Sequence, residues 1–182
     1  MDFLFIGNNL ASDFVNTEVV GSNDRIDLLH SPDSLLQWFN AACSDSLSVK
    51  LCDKDLIDAK ELRSSIRRAF ERAVESNPLL QEDIDLLNER SNMLVRVLKS
   101  SNDSYKLEYR LDSGADLLAR IATACCELLA STKLKSLRKC ASDKCILYFV
   151  DTSKNQQRQW CSMETCGNRE KVRKHYDKTK SR

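Results

Sequence analysis

The chain has 182 residues and a formal net charge of +1, and 42% of its residues are hydrophobic and 30% charged. This is enough apolar material for a core and enough charge for a soluble surface. No apolar run approaches the ~20 residues that span a bilayer, and the N-terminus lacks the basic segment and long apolar run of a signal peptide. We therefore expect a cytoplasmic protein with no membrane segment, in which cysteines stay reduced.

The first half of the chain predicts mainly helices. Residues 3–6 are a short apolar run that fits a small strand, and residues 10–20 have helix-like apolar spacing. Ser31 and Pro32 favour the start of a helix that runs to about residue 44. The best helical pattern covers residues 53–76, with an apolar stripe that includes Leu62 and Ile66. Its charged side is expected to face solvent and comprises Arg63, Arg67, Arg68, Glu71 and Arg72.

The next segments predict a helix, a hairpin and a second helix. Asn77 and Pro78 favour another helix start, and that helix is expected to end before residue 91. Residues 95–97 and 105–111 alternate apolar and charged side chains around a polar turn, which indicates a β-hairpin. Ser113 and Asp116 then resemble a capping box in front of a buried helix that ends near residue 131. Residues 132–139 contain no Gly or Pro, so we expect an ordered join that continues this helix.

Four cysteines near the C-terminus have the spacing of a metal site. Cys140 and Cys145 form one C-x4-C pair, and Cys161 and Cys166 form a second pair fifteen residues later. Two such pairs can close a tetrahedral cage of four thiolates around Zn²⁺. The alternatives are four unrelated reduced cysteines or a disulfide, and the reducing cytoplasm disfavours the latter. His175 is a weaker candidate ligand, because four cysteines already satisfy the ion.

Local patterns around these cysteines predict a small zinc finger. Residues 146–150 favour a strand, and residues 151–157 favour a turn after it. Residues 159–160 are expected to form a second short strand. The last cysteine pair is expected at the entry to a helix that ends near residue 176. Val172 and Tyr176 are expected to face the hairpin, and Tyr148 and Trp160 to form the core of the finger.

Charge is distributed unevenly along the chain. Residues 1–132 hold 14 Lys+Arg and 22 Asp+Glu, a balance of −8, and residues 133–182 hold 14 Lys+Arg and 5 Asp+Glu, a balance of +9. A basic tail on an acidic body indicates a polyanionic partner. The alternatives are a tail that only solubilises the protein, or one that packs on the acidic body.

The residues around the cysteines resemble those of the CGNR zinc finger. The resemblance rests on both cysteine pairs, residues 147–155, Arg158, residues 160–163 and the sequence Cys-Gly-Asn-Arg at 166–169, with Lys171. It implies a treble-clef-like zinc module at the C-terminus of bacterial stress-related transcription regulators. Lys154 and Gln159 depart from the arginines common in that family.

The N-terminal segment resembles the start of the ABATE domain, which precedes the finger in that family. The motif residues here are Asp13, Phe14, Asn16 and Thr17. Asp13 and Asn16 lie about one helical turn apart among apolar neighbours, so they either hydrogen-bond inside a packed interior or line a ligand pocket. The expected fold is α+β: a predominantly helical domain at residues 1–132 with a hairpin, and a zinc finger at residues 133–182.

These patterns favour a transcription regulator that is not an enzyme. The N-terminal domain would sense a small-molecule or protein signal or form a homodimer, and the finger would bind DNA; the candidate contacts are Arg158, Arg169, Lys171, Arg173 and Lys174. Arg169 has a competing role as a hydrogen-bond donor to a zinc-bound cysteine. The alternative function is an RNA- or protein-interaction module that does not read DNA sequence. Catalysis is disfavoured, because four cysteines leave zinc no open position for water.

Overall fold

Six α-helices and three two-stranded antiparallel sheets form the part of the chain that the computed structural model describes, residues 2–21, 24–43, 47–101 and 104–180. About half of the chain is helical, which confirms the α+β expectation. The helices are α1 (Leu10–Val15), α2 (Pro32–Cys43), α3 (Asp53–Val74), α4 (Gln81–Ser91), α5 (Gly114–Leu129) and α6 (Asn168–Lys180). The strands are β1 (Glu18–Val20), β2 (Arg25–Asp27), β3 (Arg96–Ser101), β4 (Ser104–Tyr109), β5 (Leu137–Lys139) and β6 (Tyr148–Val150).

The main core lies between α1, α2, α3 and α5. Phe14 of α1 and Trp38 of α2 are fully buried, with ring centroids 5.1 Å apart. The apolar stripe of α3, which includes Ile66, packs into the same cluster as Ile121 of α5. Burial of these large side chains supplies the main driving force for folding, at roughly 25 cal/mol per Å² of apolar surface.

The β3–β4 hairpin and the start of α5 agree with the sequence. The six residue pairs of the hairpin run from Arg96 opposite Tyr109 to Ser101 opposite Ser104. Ser113 caps α5 by accepting a hydrogen bond from the N–H of Asp116, whose carboxylate accepts one from the Ser113 hydroxyl. Helix α4 begins at Gln81 rather than at Asn77, because Pro78 is followed by an extended Leu80.

The first twenty residues differ from the sequence expectation. Residues 2–6 form no strand, and the helix expected over residues 10–20 ends at Val15. Asn16 takes the C-cap position, and the β-branched pair Val19–Val20 then forms β1, which pairs with β2. Two consecutive valines favour a strand over a helix because branching at Cβ restricts the side chain within a helical turn.

Two arginines of α3 are buried, which corrects the expectation of a solvent-facing arginine group. The Arg63 guanidinium forms a bidentate ion pair with Asp27, at 2.7 and 2.8 Å. Arg67 donates to the carbonyls of Val15 and Ile146, at 2.8 and 3.0 Å. Helical periodicity alone could not show this, because the partners come from distant segments.

The join to the C-terminal part is a 3₁₀-helix (Thr132–Ser136) followed by β5, and not a continuation of α5. Strand β5 pairs with β6, from Leu137 opposite Val150 to Lys139 opposite Tyr148. The sequence predicted that residues 159–160 would form the second strand of the finger, but these residues form no strand, and β5 is the partner of β6 instead. Since β5 and β6 flank the first cysteine pair, the hairpin holds that pair in its connecting loop.

The main core also contains residues from the C-terminal part. Leu137, Tyr148 and Val150 belong to the same buried cluster as α1, α3 and α5. Tyr148 packs on Phe70, with ring centroids 5.8 Å apart, so it does not form a separate finger core. A second, smaller cluster joins Phe149 and the cysteines to Val19 and Leu28 of the N-terminal part. The division of the chain after residue 132 stays a prediction.

Candidate metal centre

Two different local structures present the cysteines. The first pair lies in the loop between β5 and β6, where the N–H of Cys140 donates to the carbonyl of Leu147 and the N–H of Cys145 closes a turn to Ser142. Cys166 lies in a π-helical turn, Met163–Gly167, that runs directly into α6. Ser162 caps this turn by accepting a hydrogen bond from the N–H of Thr165. A hairpin loop and a helix entry therefore face each other across the site.

The four thiols converge on one point. The Sγ atoms of Cys140, Cys145, Cys161 and Cys166 all lie within 4.8 Å of one another. The distance from Cys161 Sγ is 3.7 Å to Cys145 Sγ and 3.5 Å to Cys166 Sγ. A tetrahedral site with Zn–S bonds of ~2.3 Å requires S–S distances of about 3.8 Å. The geometry and the chemistry of the donors fit one Zn²⁺ ion bound by the four cysteines.

Two N–H donors outside the ligand set form hydrogen bonds to the sulfurs. The N–H of Cys161 donates to Cys140 Sγ at 3.4 Å, and the Arg169 guanidinium donates to Cys166 Sγ at 3.1 Å. Four thiolates and one Zn²⁺ leave a net charge of −2, which the Arg169 cation partly offsets. Hydrogen bonds from outside the ligand set orient the ligands and tune the metal affinity.

Without a metal ion the thiols compete for protons. Hydrogen bonds from the thiols of Cys145 and Cys161 lower the pKa of Cys140. The bonds to Cys140 in turn raise the pKa of both Cys145 and Cys161, because each keeps the proton that it shares. Bound zinc removes this competition, since a coordinated thiol is deprotonated outright.

Arg158 connects the metal centre to the start of the chain. Its guanidinium donates to the carbonyls of Trp160 (3.0 Å), Ile6 (3.2 Å) and Cys161, and lies 4.2 Å from the centroid of the Phe149 ring. Its backbone N–H donates to the carboxylate of the buried Asp151. Arg158 was a predicted DNA contact, but in the structure its guanidinium contacts groups of the protein itself.

Helix α6 is fixed to the first cysteine loop by polar contacts that sequence reasoning missed. The buried Glu170 accepts a hydrogen bond from the Ser142 hydroxyl at 3.0 Å and pairs with Arg173 at 2.8 Å. Arg173 also pairs with Asp143 of the loop, at 2.8 Å. The only sequence signal was an acidic residue in the first turn of a helix, which is common without any such partner.

The remaining candidate DNA contacts lie on α6. Arg169 is exposed except for its contact with Cys166, and Lys171 is exposed. The side chains of Lys174 and His175 lie outside the described residues. Val172 and Tyr176 are exposed rather than packed on a hairpin, which corrects that expectation.

The two polar residues of the N-terminal motif make local and long-range hydrogen bonds. The Asn16 amide is fully buried; it donates to the carbonyl of Tyr148 at 2.8 Å and accepts from the N–H of Tyr148 at 2.9 Å. Asp13 accepts a hydrogen bond from the N–H of Gly7 at 2.7 Å. Burial raises the pKa of Asp13 from 3.8 to about 6, although this hydrogen bond acts in the opposite direction.

No helix in the described ranges is long and apolar enough to cross a membrane.

Comparison with known protein families identifies both parts of the chain. Residues 8–132 match the ABATE family, described as "Putative stress-induced transcription regulator", and residues 136–179 match the CGNR zinc finger. A search of curated proteins finds no significant match. The finger match covers all four cysteines that converge in the structure. The match to the ABATE family covers more than half of the chain. The chain therefore belongs to the ABATE family, and it carries a CGNR zinc finger at its C-terminal end.

Proposed function

We propose that this protein regulates transcription by binding DNA through the exposed basic surface of its zinc finger. The supporting observation is the excess of basic side chains in residues 133–182, a balance of +9 that a four-thiolate zinc site lowers to +7, on a body with a balance of −8. Several of these charges are exposed: Lys133, Lys135, Lys139, Lys144, Lys154, Lys171 and Lys180. Basic clusters of this kind neutralise phosphates and release counterions, which supplies most of the affinity of non-specific DNA binding.

Within this surface, Lys171 is the strongest candidate contact. It lies in the first turn of α6, is exposed, and forms no ion pair with any described residue. Arg173 is weaker, because a phosphate would have to displace Asp143 and Glu170. We propose a structural role for Arg158 and a combined role for Arg169, whose exposed guanidinium also contacts Cys166. Lys174 remains a candidate from its position next to Arg173.

Other aspects of the function follow from the same reasoning. The acidic body at residues 1–132 would receive a small-molecule or protein signal, and repulsion from phosphates would confine DNA to the finger. We place the protein in the cytoplasm, where the thiols needed by the metal stay reduced. We also propose that it has no catalytic activity, since a metal held by four cysteines offers no position for substrate.

The test is binding of the zinc-loaded full chain to random duplex DNA at several salt concentrations, followed by selection and sequencing. We expect affinity to fall with salt, with a log–log slope of about −0.9 per phosphate contact. Lys171→Ala should lower the affinity for DNA and make the log–log slope less steep by about the value of one phosphate contact. Lys50→Ala, an exposed change on the acidic body, should alter neither the affinity nor the slope.

The competing function is a module that binds RNA or a protein and does not read DNA sequence. Four-cysteine fingers serve that purpose as well, and the lysine at 154 and glutamine at 159 reduce the arginine content of the surface. Absence of DNA binding at low salt, together with an RNA or protein that co-purifies through the finger, would establish this function instead.

A further inference from the structure

The β3–β4 hairpin exposes large apolar side chains. The exposed fractions of Leu98, Tyr105 and Leu107 are 66%, 75% and 60%. Leu98 lies directly opposite Leu107, and Ser100 opposite Tyr105, so these side chains share one face of the hairpin. A two-stranded sheet of this kind is marginally stable alone, and an exposed apolar strand at a sheet edge is a site for pairing with another chain.

The hydrogen-bond pattern shows which backbone groups of β4 are available. The N–H of Arg110 donates to the carbonyl of Val95 at 2.9 Å, which makes these two residues a hydrogen-bonded pair. Pairs alternate along an antiparallel ladder, so Glu108 and Lys106 also bond to β3. The N–H and C=O groups of Tyr105, Leu107 and Tyr109 therefore point away from β3, and no other described segment pairs with this edge.

The sequence of β4 is complementary to itself when two copies run antiparallel. Residues 105–109 read Tyr-Lys-Leu-Glu-Tyr. With Leu107 on a two-fold axis, Leu107 meets Leu107, Tyr105 meets Tyr109, and Lys106 meets Glu108 of the second copy. The residues whose backbone groups point outward are then those that exchange hydrogen bonds across the new pairing.

We propose that two copies of this protein join through their β4 edges, around a two-fold axis at Leu107, and form a four-stranded antiparallel sheet. One face of this sheet carries Leu98, Leu107 and Tyr105 of both copies, beside Arg96 and Ser100. Such a contact is isologous, so the same surface serves on both subunits and the assembly closes as a dimer.

The charged face of the hairpin supports this arrangement. In the single chain Lys106 lies directly opposite Lys99, a like-charge pair that is unfavourable, and the nearby Glu108 pairs with Lys99 at 3.2 Å. In the dimer Glu108 of the second copy lies directly opposite Lys106. Each lysine of the face then has a carboxylate beside it.

The outer edge of β3 does not offer an equivalent contact. Two copies joined around Leu98 would place Val97 opposite Lys99 and Arg96 opposite Ser100. Neither pair is complementary in charge or in apolar character. The self-complementarity is therefore a property of β4, and it selects a second copy of the same chain as the partner.

Charge reversal tests the proposed pairing in the zinc-loaded full chain. Sedimentation equilibrium should show a reversible dimer for the natural protein. Glu108→Lys and Lys106→Glu should each weaken dimerisation by roughly tenfold or more, because two attractive pairs become repulsive ones. An equimolar mixture of these two variants, and the double variant Lys106→Glu/Glu108→Lys, should both restore it. Glu89→Lys, an exposed reversal on α4, should have no effect.

A cysteine at the axis gives a second, independent test. Opposed residues of a hydrogen-bonded pair have Cα atoms about 5.5 Å apart, a separation that a disulfide spans. Leu107→Cys should form a covalent dimer under mild oxidation, whereas Leu98→Cys, on the same face of the other strand, and the natural protein should not. A natural protein that stays monomeric, or a dimer that neither charge reversal weakens, would refute the proposal. Neither test depends on DNA, so its outcome is separate from that of the proposed function.

Discussion

The side chain of Asn16 binds both backbone groups of Tyr148, 132 residues later in the chain. Its amide nitrogen donates to the Tyr148 carbonyl and its amide oxygen accepts from the Tyr148 N–H, at 2.8 and 2.9 Å. The asparagine thus satisfies the backbone of β6 as a neighbouring strand would. The N-terminal motif therefore has a structural contact at Asn16, and this contact joins the part matched by the ABATE family to the part matched by the zinc finger.

We expect Asn16→Ala to destabilise the whole protein. The change leaves the buried N–H and C=O of Tyr148 without partners, and each unsatisfied group costs about 1–3 kcal/mol. The free energy of unfolding, measured with denaturant on zinc-loaded protein, should fall by at least about 2 kcal/mol. Asn40→Ala is the matched control, because Asn40 makes the same pair of bonds to Leu47. Both of these residues are only half-buried, so water can replace the lost bonds and the loss of stability should be smaller. An equal loss in both variants would argue against a special role for Asn16.

Arg169→Ala should weaken zinc binding without unfolding the protein. Arg169 donates to Cys166 Sγ, and loss of such a contact typically lowers metal affinity by roughly 10- to 100-fold. Competition with a chromophoric zinc chelator measures the change. Lys171→Ala, which removes an exposed cation of the same helix that pairs with no described residue, should leave zinc affinity nearly unchanged. If the Arg169→Ala variant kept full zinc affinity and lost only its affinity for DNA, the main role of Arg169 would be contact with DNA.

Asp13 should make stability depend on pH. Burial raises its pKa in the folded protein to about 6, above the 3.8 of an exposed aspartate, so the folded state holds the proton more tightly. This contribution to stability is fully present below about pH 4 and is lost as pH rises through 6. Relative to the Asp13→Asn variant, which stays neutral, the natural protein should lose on the order of 1–2 kcal/mol between pH 4 and 6. Identical pH profiles of unfolding for the two proteins would refute this assignment.

Removal of zinc should loosen the N-terminal body as well as the finger. Leu137, Tyr148 and Val150 pack in the main core, and Arg67 bonds to the carbonyl of Ile146. Because zinc holds the loop between β5 and β6, chelation should reduce amide-exchange protection in α1 and α3, not only in residues 133–180. A fragment of residues 1–132 should fold with lower stability than the full chain. Unchanged protection of α1 and α3 after chelation would instead support independent domains.

Local patterns predicted much of the structure. The C-x4-C spacing identified the four cysteines, alternation identified the β3–β4 hairpin, and the Ser113 cap identified the start of α5. These features depend on neighbours in sequence, and periodicity and capping report such neighbours directly.

The sequence-based predictions that were wrong concern contacts between segments that are far apart in the chain. Arg63 and Arg67 belong to the polar side of a helical pattern, but Asp27, Val15 and Ile146 supply partners that allow their burial. Strand β5 pairs with β6 because the chain turns after α5, which no local propensity of residues 137–139 shows. Secondary structure propensity is a weak guide where tertiary contacts decide.

Contacts between the two ends of the chain also set an order for folding during synthesis. Asn8 and Gly7 bond to Val150, and Arg158 bonds to Ile6, so these contacts cannot form until the last third of the chain has left the ribosome. Contacts of such high sequence separation form slowly, because the intervening chain must first be ordered. A nascent or prematurely terminated product keeps α1 and β1 without their C-terminal partners. The apolar side chains of α1 and β1 are therefore buried against the C-terminal part only after translation is complete and zinc is bound. Until then they are accessible to chaperones and proteases.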